Sequence, residues 1–168
     1  MMKIKNGFAS ILALLMAASS VSAQRRPVPT ETPDRARVDV ESYTIDITLM
    51  PAEHMLRGTA EVKLRQLERA SELTFDLDNR LRIDKVMLDG AEARFRQYDL
   101  DDTVEVSTAD GKLSEVSTLR FEYEGFLDPP TGNKRQVVLS SISDNGAFLL
   151  YESKWFPTNG VYKDKAVT

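Results

Sequence analysis

The chain has 168 residues, no cysteine and a single histidine, and its formal net charge at pH 7 is −4. The absence of cysteine excludes a disulfide framework and a lipid anchor on cysteine. The mildly acidic balance, with both signs mixed along the chain, disfavours nucleic-acid binding, because phosphate contacts need a basic face. A chain of this length suits one domain with a core of its own.

The first 23 residues are typical of an export signal. Lys3 and Lys5 precede an apolar run at 8–18, and Val21-Ser22-Ala23 offers the small residues that a signal peptidase accepts. The apolar run has 11 residues, whereas a membrane-spanning helix needs roughly 20. We therefore expect cleavage before Gln24, no stable membrane anchor afterwards, and a periplasmic or extracellular location. Loss of this segment changes the formal net charge to −6, because it carries two lysines and no acidic residue.

Residues 24–37 are predicted to form a flexible linker. They contain three prolines and four arginines and almost nothing apolar. Such a composition cannot bury a hydrophobic face, so we expect a tether that precedes the folded domain, 38–168.

From Val38 onward, apolar residues recur with a period of two, which is typical of strands with one buried face. Residues 43–49 and 60–64 alternate in this way. We expect the link at 51–58 to form a hairpin, in which Pro51 ends the first strand and Gly58 permits the reversal.

The same alternation continues to residue 123. Asp89-Gly90 is the strongest hairpin signal, since both residues tolerate positive φ between alternating strands. A second turn is predicted at Asp110-Gly111. The expected strands after the first hairpin are 73–77, 81–88, 91–95, 104–106 and 119–123.

These patterns predict an all-β domain. No segment after the signal peptide carries a helical stripe of ten residues or more. Short strands with turn residues between them favour an antiparallel β-sandwich or a curved multi-sheet domain. The clean alternation indicates that many strands have one face in water. The strand order does not follow from the pattern.

Taken together, the segments resemble the N-terminal β domain of M1-family zinc aminopeptidases, the aminopeptidase N-like domain. The resemblance implies a saddle-shaped, sandwich-like multi-sheet fold over 38–168, incomplete at its C-terminal end. The motifs that carry it are the first hairpin (43–47 with 56–62), the block 75–78 followed by 81–86, the strand 119–127 with its Tyr-x-Gly turn, and Trp155-Phe156-Pro157.

The chain departs from the family in its catalytic residues. The family's His-Glu-x-x-His helix and its loop rich in Gly, Met, Glu and Asn do not occur in this sequence. His54 is expected to be a solvated turn residue, since a catalytic zinc needs about three protein ligands. We therefore expect no catalytic residue, metal site or cofactor in this chain, with zinc only in a catalytic domain that the sequence lacks.

Three residues are candidates for substrate binding. The resemblance implies that an acidic residue in this last part of the β domain holds the substrate's α-amine, and Glu152 is the candidate. Trp155 and Phe156 either line a specificity pocket or fill a corner of the core. For four aspartates we expect solvent-face charges rather than a calcium site, because no dense oxygen-ligand loop is present. They are Asp76, Asp78, Asp84 and Asp89.

Two functions remain open. The first is a non-catalytic structural and substrate-cleft domain of an exported M1-type metallo-aminopeptidase. Its partners would be the catalytic domain, in cis or in trans, and peptide N-termini. The second is a self-contained secreted β-sandwich module that binds an unknown ligand. Residues 161–168 favour the first, since they are expected to be a strand interrupted mid-fold.

Overall fold

The computed structural model describes residues 35–107, 113–129 and 138–159. Regular structure in these ranges consists of strands and two 3-10 helices, Pro51–Glu53 and Tyr151–Ser153, which confirms the all-β prediction. The strands are β1 Val38–Met50, β2 Met55–Gln66, β3 Glu72–Asp76, β4 Leu81–Leu88, β5 Ala91–Glu92, β6 Arg94–Tyr98, β7 Thr103–Ser107, β8 Val116–Phe126, β9 Ser140–Ser143 and β10 Gly146–Leu149.

The strands form two sheets and a separate hairpin, and neighbouring strands are antiparallel. The larger sheet has the order β1-β2-β8-β4-β5. The smaller sheet has the order β3-β7-β6, and β9 pairs with β10. This order places β8 beside β2 although the two are far apart in sequence, because their long apolar faces are matched in register.

The five-stranded sheet has one buried face and one wet face, as the alternation predicted. In β8, Leu119, Phe121 and Tyr123 are buried, and Arg120 between them is exposed. The wet face carries ion pairs across neighbouring strands, such as the one between Arg57 and Glu124 at 2.7 Å. Ion pairs of this kind near the surface contribute little to the free energy of unfolding. They keep this face of the sheet polar and hydrated.

The core lies between the two sheets. Phe75 of β3 meets Phe121 of β8 edge to face, with ring centroids 5.0 Å apart. Leu73, Val104 and Val106 of the smaller sheet are fully buried. At one side the sheets are joined by Gln97, whose amide nitrogen donates to the Leu81 carbonyl oxygen at 2.6 Å and whose amide oxygen accepts from the Ile83 amide at 3.1 Å.

The predicted hairpin at Asp89-Gly90 is present. Both residues have positive φ, 51° and 81°. The strand expected at 91–95 is not continuous, which corrects the sequence prediction. Residues 91–92 pair with β4, whereas 94–98 pair with β7 in the other sheet. The chain crosses over at Ala93, which is buried and donates its amide to the Val86 carbonyl.

Two glycines act differently from the prediction. The first hairpin reverses at His54, whose φ is 55°, and not at Gly58, which lies within β2. The Tyr-x-Gly segment is likewise no turn, because β8 continues through Gly125. Both glycines permit a close approach: a Cβ at 58 would meet the Tyr123 ring, and a Cβ at 125 would overlap the Arg80 carbonyl.

Several predicted features lie outside the described residues: the signal peptide (1–23), the linker up to residue 34, the turn at Asp110-Gly111 and the final strand (161–168). Of the predicted linker, 35–37 are described and bonded to the domain. The Arg37 amide donates to Glu68 Oε1 at 2.8 Å, and the Arg37 carbonyl accepts from the Leu67 amide at 3.0 Å. In the described part of the chain, no helix is long and apolar enough to cross a membrane.

Candidate functional site

The predicted substrate-binding residues lie on the segment that follows β10, which begins with a tight turn. Residues 151–153 form a single 3-10 turn, and Lys154 closes it with a φ of 56° by donating its amide to the Tyr151 carbonyl at 3.1 Å. The Ser153 hydroxyl donates to the Leu150 carbonyl at 2.7 Å, which fixes the start of the turn. Glu152 lies at the tip and is exposed. Its carboxylate is therefore presented to solvent by a well-defined backbone.

Phe156 is the centre of an aromatic cluster beneath this turn. It is only 5% exposed and meets three other rings edge to face. The centroid distances are 5.5 Å to Tyr43, 5.7 Å to Tyr151 and 4.7 Å to Trp155. Trp155 is partly buried against the core. The structure thus brings the rings of Trp155 and Phe156 together, with Phe156 buried and Trp155 partly exposed.

Asp76, at the end of β3, is the most buried carboxylate near the turn. Its side chain is 5% exposed and receives both arms of the Arg35 guanidinium, at 2.6 and 2.8 Å. Lys154 Nζ lies 3.6 Å from Asp76 Oδ1 and 3.4 Å from Asp102 Oδ2. The hydrogen bond with Asp76 raises the pKa of Arg35 above its usual value. Two cations from distant parts of the chain therefore share one buried anion.

The backbone around Asp76 also joins the turn segment to the sheets. Asp76 and Thr158 exchange a pair of hydrogen bonds, with N···O distances of 2.7 and 2.9 Å. The Asp78 amide donates to the Lys154 carbonyl at 2.9 Å. Asn159 donates its side-chain amide to the Thr74 carbonyl at 2.8 Å. The segment is thereby attached along the end of β3.

Asp78 is a second buried carboxylate, and its partner Arg80 is exposed. Its carboxylate accepts from the Arg80 side chain at 2.6 Å, and the same guanidinium donates to the Ser140 hydroxyl at 2.7 Å. This contact with Asp78 raises the pKa of Arg80. The link to Ser140 ties the loop after β3 to the β9–β10 hairpin.

The expectation of solvent-face charges is wrong for Asp76 and Asp78 and confirmed for Asp84 and Asp89. The first two are 4% and 8% exposed, and the latter two are exposed. Segment 151–159 covers the end of β3, and arginine partners compensate the buried charge. Strand alternation predicts only which side of a sheet a residue lies on, and not what packs over the strand's end.

His54 lies in a turn, as predicted. Its side chain is 36% exposed, and Nδ1 lies 3.1 Å from Asp128 Oδ1. Within the described ranges, no three side chains of His, Asp or Glu come close enough to hold a metal ion. These residues do not fit a catalytic zinc, which needs about three protein ligands.

A groove of about 420 Å³ lies apart from this turn. It is lined by the last residue of β2, the residues that follow it and two residues just before β8: Gln66, Leu67, Glu68, Arg69, Leu113 and Glu115. None of the predicted site residues contributes to it.

Sequence reasoning missed Arg35, Asp76 and Lys154 as a group. Arg35 lies in a stretch whose composition indicates a linker, and Lys154 is 78 positions from Asp76. Near this group, the sequence gives a local signal only for the neighbouring ion pair of Asp78 and Arg80. These opposite charges lie two positions apart in a strand-rich region, and the structure pairs them.

This chain is similar to known proteins in its structure, and comparisons of its sequence find no match. No protein-family model matches the sequence, and no curated protein matches it. A two-domain M1 zinc metallopeptidase bound to L-arginine superposes with a TM-score of 0.57 at 21% identity, over 80% of this chain and 32% of that chain. An M1 zinc metallopeptidase from Deinococcus radiodurans gives 0.56 at 22% identity, over 79% and 31%.

A third similar structure is the native yeast LTA4 hydrolase, with a TM-score of 0.54 at 19% identity, over 90% of this chain and 26% of that chain. This chain thus spans about a third or less of the length of the solved structures that it matches. At these identities the likeness establishes the fold. The chain therefore has the β fold that M1 zinc metallopeptidases carry over part of their length, as its resemblance to their N-terminal β domain predicted.

Proposed function

We propose that this chain is the non-catalytic N-terminal β domain of an exported M1-type zinc metallo-aminopeptidase. In this role it packs on a catalytic domain and forms one wall of the cleft that receives a peptide's N-terminus. The observation that carries the proposal is the fold match, which covers about 80% of this chain and about a third of a two-domain M1 enzyme. The matched part has a hydrophobic core of its own, as a domain does.

The surface around the 151–153 turn supports this role. Glu152 is exposed and Trp155 is partly exposed on the same segment, so this segment presents both an anion and aromatic surface. A peptide's α-ammonium needs such an anion when it leaves water, since an unpaired buried charge costs several kcal/mol. Glu152 would pair with the ammonium, and Trp155 would contact the first side chain of the peptide.

Exposed apolar side chains flank the same turn. Phe148, Leu150 and Tyr151 are 49%, 38% and 40% exposed. Adjacent large apolar side chains at a surface are typical of a contact region. In the assembled enzyme we expect the catalytic domain to cover them. The zinc that activates water for hydrolysis would be bound by that domain and not by the described residues of this chain.

The proposal is tested first at the level of the encoding DNA and the isolated chain. The coding sequence after codon 168, or a neighbouring gene, is expected to encode a His-Glu-x-x-His motif. The purified chain is expected to hydrolyse no aminoacyl substrate with added zinc. Chelator-sensitive turnover by this chain alone would contradict the non-catalytic role. Absence of the motif from both places would favour the self-contained binding module instead.

The role of Glu152 is tested in the assembled enzyme. Glu152→Gln is expected to raise KM for aminoacyl substrates about tenfold or more, because loss of a charge partner for a desolvated ammonium costs at least about 1.4 kcal/mol. Glu122→Gln is the matched control, since Glu122 lies on the wet face of the large sheet near Arg120. Equal KM values for the two variants would remove Glu152 from the site.

A further inference from the structure

The segment that carries Glu152 and Trp155 is held by few regular contacts. Among its described residues, 151–159, the regular structure is one 3-10 turn and a single bridge between Thr158 and Asp76. Phe156 anchors the middle of the segment through its buried ring. The chain on either side of Phe156 is attached close to Asp76: Lys154 pairs with the Asp76 carboxylate, and Thr158 pairs with the Asp76 backbone.

Asp76 also holds the chain where it enters the domain. Its second cation, Arg35, precedes β1 and uses both arms of its guanidinium on this one carboxylate. The Arg35 and Lys154 side chains are about a quarter exposed, 25% and 26%, whereas the Asp76 side chain is 5% exposed. A carboxylate so buried needs both partners, because breaking a buried pair leaves an uncompensated charge.

We propose that Asp76 is a positioning residue that fixes the 151–159 segment and couples it to the chain entry at Arg35. If either cation is removed, the remaining carboxylate gains by moving toward water. It can do so only if the end of β3 opens, and this breaks the paired hydrogen bonds with Thr158. The segment then loosens around Phe156 while the sheets remain folded. That this loosening disturbs a substrate wall rests on the proposed function; the coupling itself rests on the contacts.

The chain provides its own probe for the test. Trp155 is its only tryptophan, so fluorescence excited selectively at tryptophan reports on this segment alone. The Thr158 amide, which donates to the Asp76 carbonyl, reports on the bridge by hydrogen exchange. Amides at the centre of β8, beside the fully buried Leu119 and Phe121, report on the sheets. Far-UV circular dichroism confirms that each variant is folded.

The variants are Arg35→Met, Lys154→Met and Asp76→Asn. The two cation variants leave the Asp76 carboxylate with one partner, whereas Asp76→Asn removes both ion pairs that attach Arg35 and Lys154. Each variant is expected to increase acrylamide quenching of Trp155 about twofold or more and to speed exchange of the Thr158 amide about tenfold, with β8 exchange much less affected, as in a sub-global opening. Lys154→Arg keeps a cation at the same backbone position and is expected to behave as the wild type. Arg57→Met is the control, because it breaks a comparably short ion pair on the wet face of the large sheet.

Coupling is read from the double variant. Because Arg35 and Lys154 share one carboxylate, their effects on Thr158 exchange are expected to be non-additive by a factor of about two or more. Unchanged Trp155 quenching in folded Arg35→Met and Lys154→Met would overturn the proposal. So would Thr158 exchange that accelerates only together with β8. If Asp76→Asn fails to fold, the two cation variants decide. No catalytic domain or substrate is needed, so this result is independent of the proposed function.

Discussion

The ring of Tyr123 lies directly against the backbone of Gly58. The two residues are register partners in β8 and β2, and a Cβ on residue 58 would lie 2.6 Å from Tyr123 Cζ and 2.7 Å from its hydroxyl oxygen. Gly58 has no left-handed φ, so its lack of a side chain, rather than its backbone freedom, is what the fold uses. The ring thereby fills the space over β2 and closes this part of the core.

Gly58→Ala is therefore expected to destabilise the domain by about 1–3 kcal/mol, because the ring or the strand must shift to admit the methyl group. The change is measured from the urea midpoint and slope. In a Tyr123→Leu background the same substitution is expected to cost much less, since the ring is absent. An equal loss of stability in the two backgrounds would show that the Tyr123 ring is not what excludes a side chain at residue 58.

The Tyr123 hydroxyl predicts a pH effect. It is buried and has no hydrogen-bond partner among the described residues, and its burial raises the pKa of Tyr123 above the usual value near 10. Unfolding lets this group ionise above pH 10, so its contribution to stability is present below that pH and falls as the pH rises. Tyr123→Phe removes this contribution to the pH dependence.

We expect Tyr123→Phe to be neutral or to stabilise by up to about 1 kcal/mol near pH 7, because it removes a buried polar group without a partner. Above about pH 10, its stability relative to the wild type should increase by about 1.4 kcal/mol per pH unit. Urea unfolding of both proteins at several pH values measures the difference. A constant difference across this range would contradict the raised pKa.

Asp78→Ala and Glu41→Ala are expected to differ in the stability that they lose and in how that loss depends on salt. Asp78→Ala leaves the Arg80 guanidinium and backbone amide without their acceptor and should cost about 1–3 kcal/mol. Glu41 pairs with Lys63 and Arg65 on the exposed face, so Glu41→Ala should have a small effect. In about 1 M NaCl the Glu41 effect should vanish while most of the Asp78 effect remains. The same salt dependence for both would show that Asp78 is effectively a surface charge.

The Asp89-Gly90 turn should be sensitive to backbone conformation only. Gly90→Ala places a side chain at a φ of 81° in open space, so it should cost about 1 kcal/mol through strain alone. Asp89→Asn retains an oxygen that can accept from the Thr118 amide and tolerates positive φ, so its stability should match the wild type. Thermal unfolding distinguishes the two. A stable Gly90→Ala variant would indicate that the turn changes type.

The sequence by itself determined the long strands of the larger sheet, such as β2 and β8, and which face of each is buried. In β8, for example, Leu119, Phe121 and Tyr123 alternate with polar residues, and a period of two has one structural meaning. The Asp89-Gly90 turn could also be predicted, because only a few residues adopt positive φ at low cost. Glu152, Trp155 and Phe156 share one segment because they are neighbours in the chain, and their role in substrate binding stays a prediction.

Only the tertiary structure decided what lies over the strand ends. The alternation predicts that Asp76 faces solvent. In the fold its side chain is buried and pairs with Arg35, which precedes β1, and with Lys154, which follows β10. Gly58 and Gly125 are of a residue type that favours turns. In the fold, however, each lies within a strand and leaves room for a close neighbour, the Tyr123 ring at Gly58 and the Arg80 carbonyl at Gly125. Local patterns record the conformation of a segment. Which distant groups meet depends on sheet order and register, which arise from the packing of the whole core.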